Sequence, residues 1–449
     1  MTPNDEKSSS TRGVEAERGS RDLAALESSI FAGRALIIAA NRGPVTFQTR
    51  TDGSRTFNRG SGGLVTALMG LAQHVNATWV ACARSEEDAQ WEQGDVPLWG
   101  DENTIRVNFL SPSPAAYDGY YNVIANPLLW FLQHSMWDVP RQPVINLETW
   151  QAWEEGYVAI NRQFADAIVD EVRTTWTESG KPTIVMLHDY HLYLAPRMVR
   201  TQMRPQERPV ITHFVHIPWP GPDYWQILPP KMRVAILEGL LGCDVLGFQT
   251  KDDALNFMRT CQRHLHRVGV KYGKGRVWYR NHATYIRAYP ISIDVGALRR
   301  LAGSDEVAAH RADIEELVGD RRMILRVERV EPSKNIVRGF IAYEEFLELY
   351  PDYIGEIQFV AILVPSRMDL GEYQDYLDEV MSIVGRINAR YATADWEPIR
   401  VLGGESDVRA VAAMQRYDVL LVNSVVDGMN LVAKEGPIVH ERCGALILS

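Results

Sequence analysis

Two successive series of short apolar runs, each separated by longer stretches with helical spacing, constrain this chain more than any other feature. The first series is 35–40, 78–81, 104–109, 183–187, 210–216 and 245–248; the second is 323–327, 357–363, 399–402, 419–422 and 445–448. Runs this short and rich in β-branched residues are those of strands buried on both faces of a parallel sheet. The helical stretches between them, notably 150–175 and 230–241, are then needed to cover those faces. A βαβα rhythm started twice predicts an α/β fold of two doubly wound, Rossmann-like domains. Their strand carboxyl ends face a deep cleft, which is where such sheets bind ligands.

At 449 residues the chain is also too long for one core. The division falls near residue 292, after a hairpin predicted over 270–289 with its turn at Gly273-Lys274-Gly275, giving domains 34–292 and 293–449. A second hairpin turn is predicted at Asp52-Gly53. Residues 1–33 are rich in Ser, Glu, Asp and Arg without an apolar core and read as a disordered tail. The chain stops directly after the run 445–448, whereas a parallel strand should lead into a covering helix. The C-terminal domain is therefore expected to be incomplete, a C-terminally truncated part of a longer protein.

A formal charge of −10 argues against a nucleic-acid surface and leaves room for a small anionic ligand held by a local basic cluster. Cys82, Cys243, Cys261 and Cys443 are scattered, with neither a disulfide framework nor zinc-ligand spacing, as in reduced cytoplasmic proteins. No apolar run approaches the roughly 18 residues a membrane helix needs, so no membrane partner is expected. A homo-oligomer is compatible with this composition.

The stretch richest in chemistry follows the run 419–422. It reads Asp427-Gly428-Met429-Asn430-Leu431-Val432-Ala433-Lys434-Glu435 and is predicted as a strand, a tight turn and a helix start. Unpaired N–H groups at the positive end of a helix dipole suit a diphosphate. Gly428 would let a ligand approach the backbone. Leu431 and Glu435, four apart, would share a helix face, with Glu435 able to accept two sugar hydroxyls of a nucleotide. An Asp N-cap and a surface Glu explain the same residues without a ligand.

Arg329 and Lys334 flank Pro332-Ser333 after the run 323–327. They either clamp a diphosphate leaving group or decorate a solvated loop. Asp189, in His188-Asp189-Tyr190-His191, ends the run 183–187 and is placed to hydrogen-bond a substrate hydroxyl. The two histidines lack a ligand cluster, so they read as packed and no metal is expected. His216-Ile217-Pro218-Trp219-Pro220 ends another strand. Its prolines stiffen a loop that either presents His216 to the cleft or simply turns.

Tyr121 and Trp130 lie on an aromatic helical stretch, from which one or two rings could face a sugar. Arg42 and Arg367 each follow a strand and together could hold a substrate phosphate from both domains. The glycines of Arg59-Gly60-Ser61-Gly62-Gly63, before a helix at Leu64, offer another loop for phosphate or sugar. Their spacing is wrong for the dinucleotide fingerprint, which excludes an NAD-dependent dehydrogenase.

Taken in order, these motifs resemble the retaining glycosyltransferase family of trehalose-6-phosphate synthases. They are Asn41-Arg42, Ser61-Gly62-Gly63-Leu64, Tyr121 with Trp130, His188-Asp189-Tyr190-His191-Leu192, His216-Ile217-Pro218, Gly247-Phe248-Gln249-Thr250, Val327-Glu328-Arg329 with Ser333-Lys334, Gly385-Arg386-Ile387-Asn388 and residues 427–435. The resemblance covers the chain from about residue 35 to its end and implies the two-domain GT-B fold.

It further implies that Gly63, Arg329, Lys334, Asp427, Gly428, Met429, Asn430, Leu431, Val432 and Glu435 meet a UDP-glucose-like donor. Arg42, Tyr121, Trp130, Asp189 and Arg367 would meet glucose 6-phosphate, and Asp427 and His216 would lie beside the transferred glucose. Asp189, His216, Arg329, Lys334 and Asp427 form the implied catalytic set. The implied chemistry is front-face attack with no enzyme nucleophile, cofactor or metal, the nucleotide sugar being a co-substrate and the departing phosphate the base. Two departures concern the acceptor and the donor turn: Cys82 stands where the family has a tryptophan, and Val426 where it has a basic residue. Cys82 keeps open another phosphorylated acceptor, such as glycerol 3-phosphate or a cyclitol phosphate. A non-catalytic sugar-phosphate sensor is the alternative from a different class.

Overall fold

The computed structural model describes residues 31, 33–50, 52–60, 65, 68, 77–91, 93–97, 104–404 and 406–449. Its first sheet has ten strands, in the order β10(Gly269–Lys271), β11(Arg276–Tyr279), β12(His282–Ala288), β9(Val245–Phe248), β8(Val210–Val215), β7(Thr183–His188), β1(Ala35–Ala39), β4(Ala77–Cys82), β6(Thr104–Leu110), β5(Gln93–Pro97). The seven from β12 to β6 run parallel, while β10 and β11 at one edge and β5 at the other are antiparallel. The second sheet is wholly parallel, in the order β15(Ile399–Gly403), β14(Ile357–Pro365), β13(Arg322–Val330), β16(Val419–Val422), β17(Ala445–Leu448). A separate ribbon pairs β2(Val45–Thr49) with β3(Arg55–Arg59) across the expected Asp52-Gly53 turn.

Burial on both sheet faces explains the unbroken apolar runs. Along β1, Ile37 and Ala39 enter one core while Leu36 and Ile38 enter the other. Along β14, Val360 and Ile362 face one cluster and Phe359, Ala361 and Leu363 the opposite one. The helices supply the other half of each core. In Ala159–Ser179, Ile160, Phe164, Ile168 and Val172 recur every four residues and are buried together. Each such side chain contributes on the order of 1.5–3 kcal/mol. The helix ends where Gly180 turns left-handed, at φ 63°.

Three expectations are modified. The hairpin over 270–289 is a three-strand meander whose last strand, β12, joins β9 in parallel. The aromatic helical stretch is a wide helical segment, Gly119–Leu129, interrupted at Asn126 (φ −127°, ψ 118°) before Pro127, followed by Trp130–Gln133. Proline lacks the N–H and crowds the preceding residue out of helical geometry. Phe31, inside the span read as a tail, is helical and packs on the first-sheet core, as an aromatic ring near an apolar face should.

Both sheets change direction of winding at one place: between β1 and β7 in the first, and between β13 and β16 in the second. Loops leaving strands on either side of such a point diverge and open a crevice. Arg42, Cys82, Asp189 and His216 come from that carboxyl edge of the first sheet; Arg329, Lys334, Arg367 and Asp427 come from that of the second.

Candidate active site

At the edge of the first sheet, Asp189 directly follows β7 with φ 69° and ψ 177°, a conformation otherwise almost confined to glycine. The surroundings enforce it. Its N–H donates to the Phe214 carbonyl (2.7 Å), its carbonyl lies 3.1 Å from His213 Nε2, and its Oδ1 accepts from the His216 N–H (3.2 Å). Burial pushes the Asp189 carboxyl up to about 7, against the opposing pull of the His216 and Tyr190 N–H groups, Arg367 and Arg329.

His188 Nδ1 sits 3.2 Å from His216 Nε2. Burial lowers His188, His191 and His213 to about 3 and His216 well below its usual value, so these imidazoles are neutral at pH 7. Packed histidines were expected here, and among the described residues no group of three or more His, Cys, Asp or Glu could hold a metal ion.

The edge of the second sheet is built from charge. Glu331, at the end of β13, is almost fully buried and pairs with Arg329 Nη1 (3.0 Å) and Arg367 Nη1 (3.2 Å), and it accepts from Ser366 Oγ (3.1 Å). Burial alone would raise its pKa; Arg329, Arg367 and Lys334 outweigh burial and hold it at about 2. Lys334 Nζ lies 2.5 Å from Asp427 Oδ2 and 3.9 Å from Glu328. Burial disfavours its ammonium, yet Asp427, Glu328 and Glu331 raise its pKa overall.

The two loops carrying this pair are zipped together. The Val425 N–H donates to the Ser333 carbonyl (2.8 Å), and Asn335 and Asn423 exchange side-chain-to-backbone bonds of 3.0 and 3.4 Å. Asn335 adopts the left-handed region that asparagine tolerates better than most residues.

Several contacts join the edges. Gly428 meets the His216 loop so closely that a Cβ would lie 2.0 Å from the His216 carbonyl oxygen. Lys434 Nζ donates to the Ile291 carbonyl (2.5 Å). Arg367, just beyond β14 with φ 50°, reaches the Tyr373 hydroxyl (2.5 Å) and the Tyr190 hydroxyl (3.3 Å), and its guanidinium lies 5.1 Å over the Trp130 ring. Arg367 and Arg42 both act on the half-buried Tyr121: burial would raise its pKa, and the two guanidiniums bring it down.

The structure thus gathers Arg329, Lys334, Arg367 and Asp427 into one charged cluster, facing Asp189, His216 and Tyr121. Arg42 joins through Tyr121. Trp130 is buried behind Arg367, stacked on His134 at 4.0 Å. Gly63 and its glycine loop lie outside the described residues.

The donor turn differs from expectation. Residues 423–431 separate β16 from the helix Val432–Val439, so Asp427 and Gly428 precede the helix by several residues. Asn430 Oδ1, not Asp427, accepts from the Ala433 N–H (3.0 Å), because the Asp427 carboxylate is taken by Lys334. Leu431 stands at the N-cap in helical geometry (φ −75°, ψ −32°), and its carbonyl accepts from the Lys434 and Glu435 N–H groups, which sets it one turn before Glu435. Met429 and Val432 are half-buried alongside it, while Glu435, in the first turn, has its pKa raised by burial and then by Asp407. The group approaching Gly428 is the His216 carbonyl.

Glu331, Tyr190 and Asn126 were not singled out from the sequence. Glu331 had one usable signal, an acid at a strand end between two cations. Beside Arg42, Arg84 and Cys82 line a cavity of about 260 Å³, together with Asn58, Asp88 and Phe109 among others.

The family described as glycosyltransferase family 20 matches residues 34–449. The α,α-trehalose-phosphate synthase (UDP-forming) of Schizosaccharomyces pombe is 34% identical over 419 residues, covering 93% of this chain and 78% of its own length. The protein of the same name from Candida albicans is 33% identical over 419 residues, covering 92% and 83% respectively. A solved structure described as trehalose-6-phosphate from E. coli bound with UDP-2-fluoro glucose superimposes with a TM-score of 0.75 at 27% identity. It covers 92% of this chain and 84% of that one.

Proposed function

The chain belongs to glycosyltransferase family 20, and from that premise we propose that it transfers glucose from UDP-glucose to glucose 6-phosphate, yielding α,α-trehalose 6-phosphate and UDP. The S. pombe and C. albicans relatives are named as UDP-forming trehalose-phosphate synthases, and the E. coli structure holds a fluorinated UDP-glucose. The observation that carries the reading is the meeting of two unlike edges. Arg329, Lys334 and Arg367 stand on one, and the strained Asp189 with the neutral His216 on the other.

In this mechanism the bond between glucose C1 and the UDP phosphate oxygen breaks while C1 bonds the acceptor hydroxyl oxygen on the same face. The hydroxyl proton passes to the departing phosphate. Arg329 and Lys334 stabilise the negative charge that collects there, as preorganised cations in a closed site do. Lys334 is held ready by Asp427, which itself borders the transferred glucose. Asp189 accepts a hydrogen bond from the acceptor's sugar, and Arg367, Arg42 and Tyr121 receive its phosphate. Holding both substrates in this alignment removes much of the entropic barrier. No step calls on a metal or cofactor.

A second acceptor reading is favoured by the cavity lined by Cys82, Arg42 and Arg84, which leaves space for a phosphorylated acceptor of another shape. The test is product formation from UDP-, GDP- or ADP-glucose with glucose 6-phosphate, analysed by mass spectrometry. A disaccharide phosphate formed from UDP-glucose and lost in Arg329→Ala is expected. UDP-glucose binding without transfer to glucose 6-phosphate would remove that acceptor and favour the other, with Cys82→Trp as the next variant. Ligand binding without turnover on any acceptor would mark a sensor.

A further inference from the structure

Arg367 is carried by the second sheet yet oriented by the first. Its Nη1 takes both Glu331 (3.2 Å) and the Tyr373 hydroxyl (2.5 Å), and two partners on one nitrogen leave a pivot. The Tyr190 hydroxyl, 3.3 Å from Nη2, is a directional anchor against it, added to the Trp130 ring beneath the guanidinium and the Tyr121 side chain. That hydroxyl has one proton, and it is given to Asn126 Oδ1 at 2.7 Å, which turns the oxygen lone pairs toward the guanidinium. Asn126 cannot reverse its amide without loss, because its Nδ2 donates to the Tyr121 carbonyl at 3.3 Å. Both residues are buried, and Asn126 stands at the interruption of helical geometry in Gly119–Leu129, which turns its side chain out of the helical pattern.

We propose that Tyr190 and Asn126 are a positioning pair that fixes the span between Asp189 and Arg367, so that the enzyme selects acceptors by the distance from hydroxyl to phosphate. Asp189 and Tyr190 are consecutive residues. The backbone holding one in its strained conformation (φ 69°) also holds the other, and the Tyr190 carbonyl is tied to the Tyr157 hydroxyl at 2.5 Å. One short rigid element therefore reads the sugar end of the acceptor directly and the phosphate end through Arg367. On the proposed acceptor roles glucose 6-phosphate engages both ends of this element, and a shorter acceptor such as glycerol 3-phosphate would engage only one. The pair rests on the acceptor roles proposed above for Asp189 and Arg367.

The experiment compares glucose 6-phosphate and glycerol 3-phosphate as acceptors for the wild-type, Tyr190→Phe and Asn126→Ala proteins, with UDP-glucose affinity measured separately. Tyr190→Phe keeps the ring and its packing. It is expected to raise KM for glucose 6-phosphate about tenfold, in line with the loss of one hydrogen bond to a charged group. UDP-glucose binding should stay within about twofold, and the preference for glucose 6-phosphate should narrow. Asn126→Ala should act in the same direction, and the double variant should be no worse than the poorer single one. Equal weakening of both substrates, or an unchanged acceptor preference in Tyr190→Phe, would overturn the pair while leaving the enzyme's activity standing. A wild-type protein inactive on glucose 6-phosphate would overturn the underlying acceptor reading, and the pair with it.

Discussion

The two edges of the crevice solve the problem of buried polar groups in opposite ways. On the second sheet the charges of the crevice are paired: Glu331 with Arg329 and Arg367, and Lys334 with Asp427 and Glu328. Glu331 and Asp427 are consequently driven toward the ionised form although they are buried, whereas Glu328, farther from Lys334, is pushed up to about 7 by burial. On the first sheet Asp189, His188, His213 and His216 are buried with no salt-bridge partner among the described residues and are driven toward the neutral form. The difference matches the tasks proposed for the two edges. A region that must stabilise a departing diphosphate needs fixed charge, whereas one that reads sugar hydroxyls needs oriented donors and acceptors.

The sharpest break of that contrast is Lys334→Ala. It removes the proposed transition-state cation and the counter-charge that Asp427 and Glu328 face. A loss on the order of 10³-fold in kcat/KM for UDP-glucose is expected from steady-state kinetics. A loss under tenfold would mean that the cation is structural only.

Next in size is a pair of opposite stability slopes, read by denaturant unfolding between pH 2 and pH 8. The Asp189 carboxyl is raised from 3.8 to about 7, so the unfolded chain releases this proton first. Its burial therefore costs stability progressively as pH rises from about 4 to 7, and fully above 7. Asp189→Asn should gain on the order of 2–4 kcal/mol relative to wild type at pH 8, shrinking toward nothing near pH 4, while acceptor use falls. The Glu331 carboxyl is lowered from 4.5 to about 2, so its contribution is complete above 4.5 and lost as pH falls toward 2. Glu331→Gln should cost about 3 kcal/mol at pH 7 and progressively less in acid. Slopes of one sign for both variants would erase the distinction between the edges.

The smallest effect tests their junction. Gly428→Ala places a methyl group against the His216 carbonyl, with backbone rather than a flexible side chain in the way. A loss of roughly 1–3 kcal/mol in stability is expected, along with weaker binding of both substrates. Gly385→Ala, exposed inside the helix Gly371–Tyr391 and with no described neighbour within 4 Å of the added Cβ, should instead gain about 0.5–1 kcal/mol in the same thermal melt.

Strands such as 245–248 and 419–422 were legible to the residue, because burial within a parallel sheet writes itself into composition. Edge strand β5, Gln93–Pro97, was not legible, since a strand of Gln, Gly, Asp, Val and Pro carries no apolar run. Within the site, residues whose chemistry is unusual at a strand end stood out: Asp189, Arg329, Lys334 and Asp427. Tyr190 and Asn126 did not, because a buried tyrosine and a helical asparagine look ordinary until their partners are known. The helix start after Asp427 was misplaced because an Asp before a glycine matches an N-cap, and only the competing Lys334 diverts its carboxylate to another loop.

The sequence by itself therefore determined two largely parallel sheets, the apolar strands at their centres, and the residue types waiting at their carboxyl ends, all of which follow from local periodicity and side-chain chemistry. The pairings were decided only in three dimensions. Glu331 becomes the shared counter-ion of Arg329 and Arg367, Gly428 the seat of the His216 carbonyl, and Tyr190 the guide of an arginine 177 residues away. Contacts between residues so distant along the chain leave no periodic trace in it; they arise where two crevice edges, each built from local rules, are brought face to face.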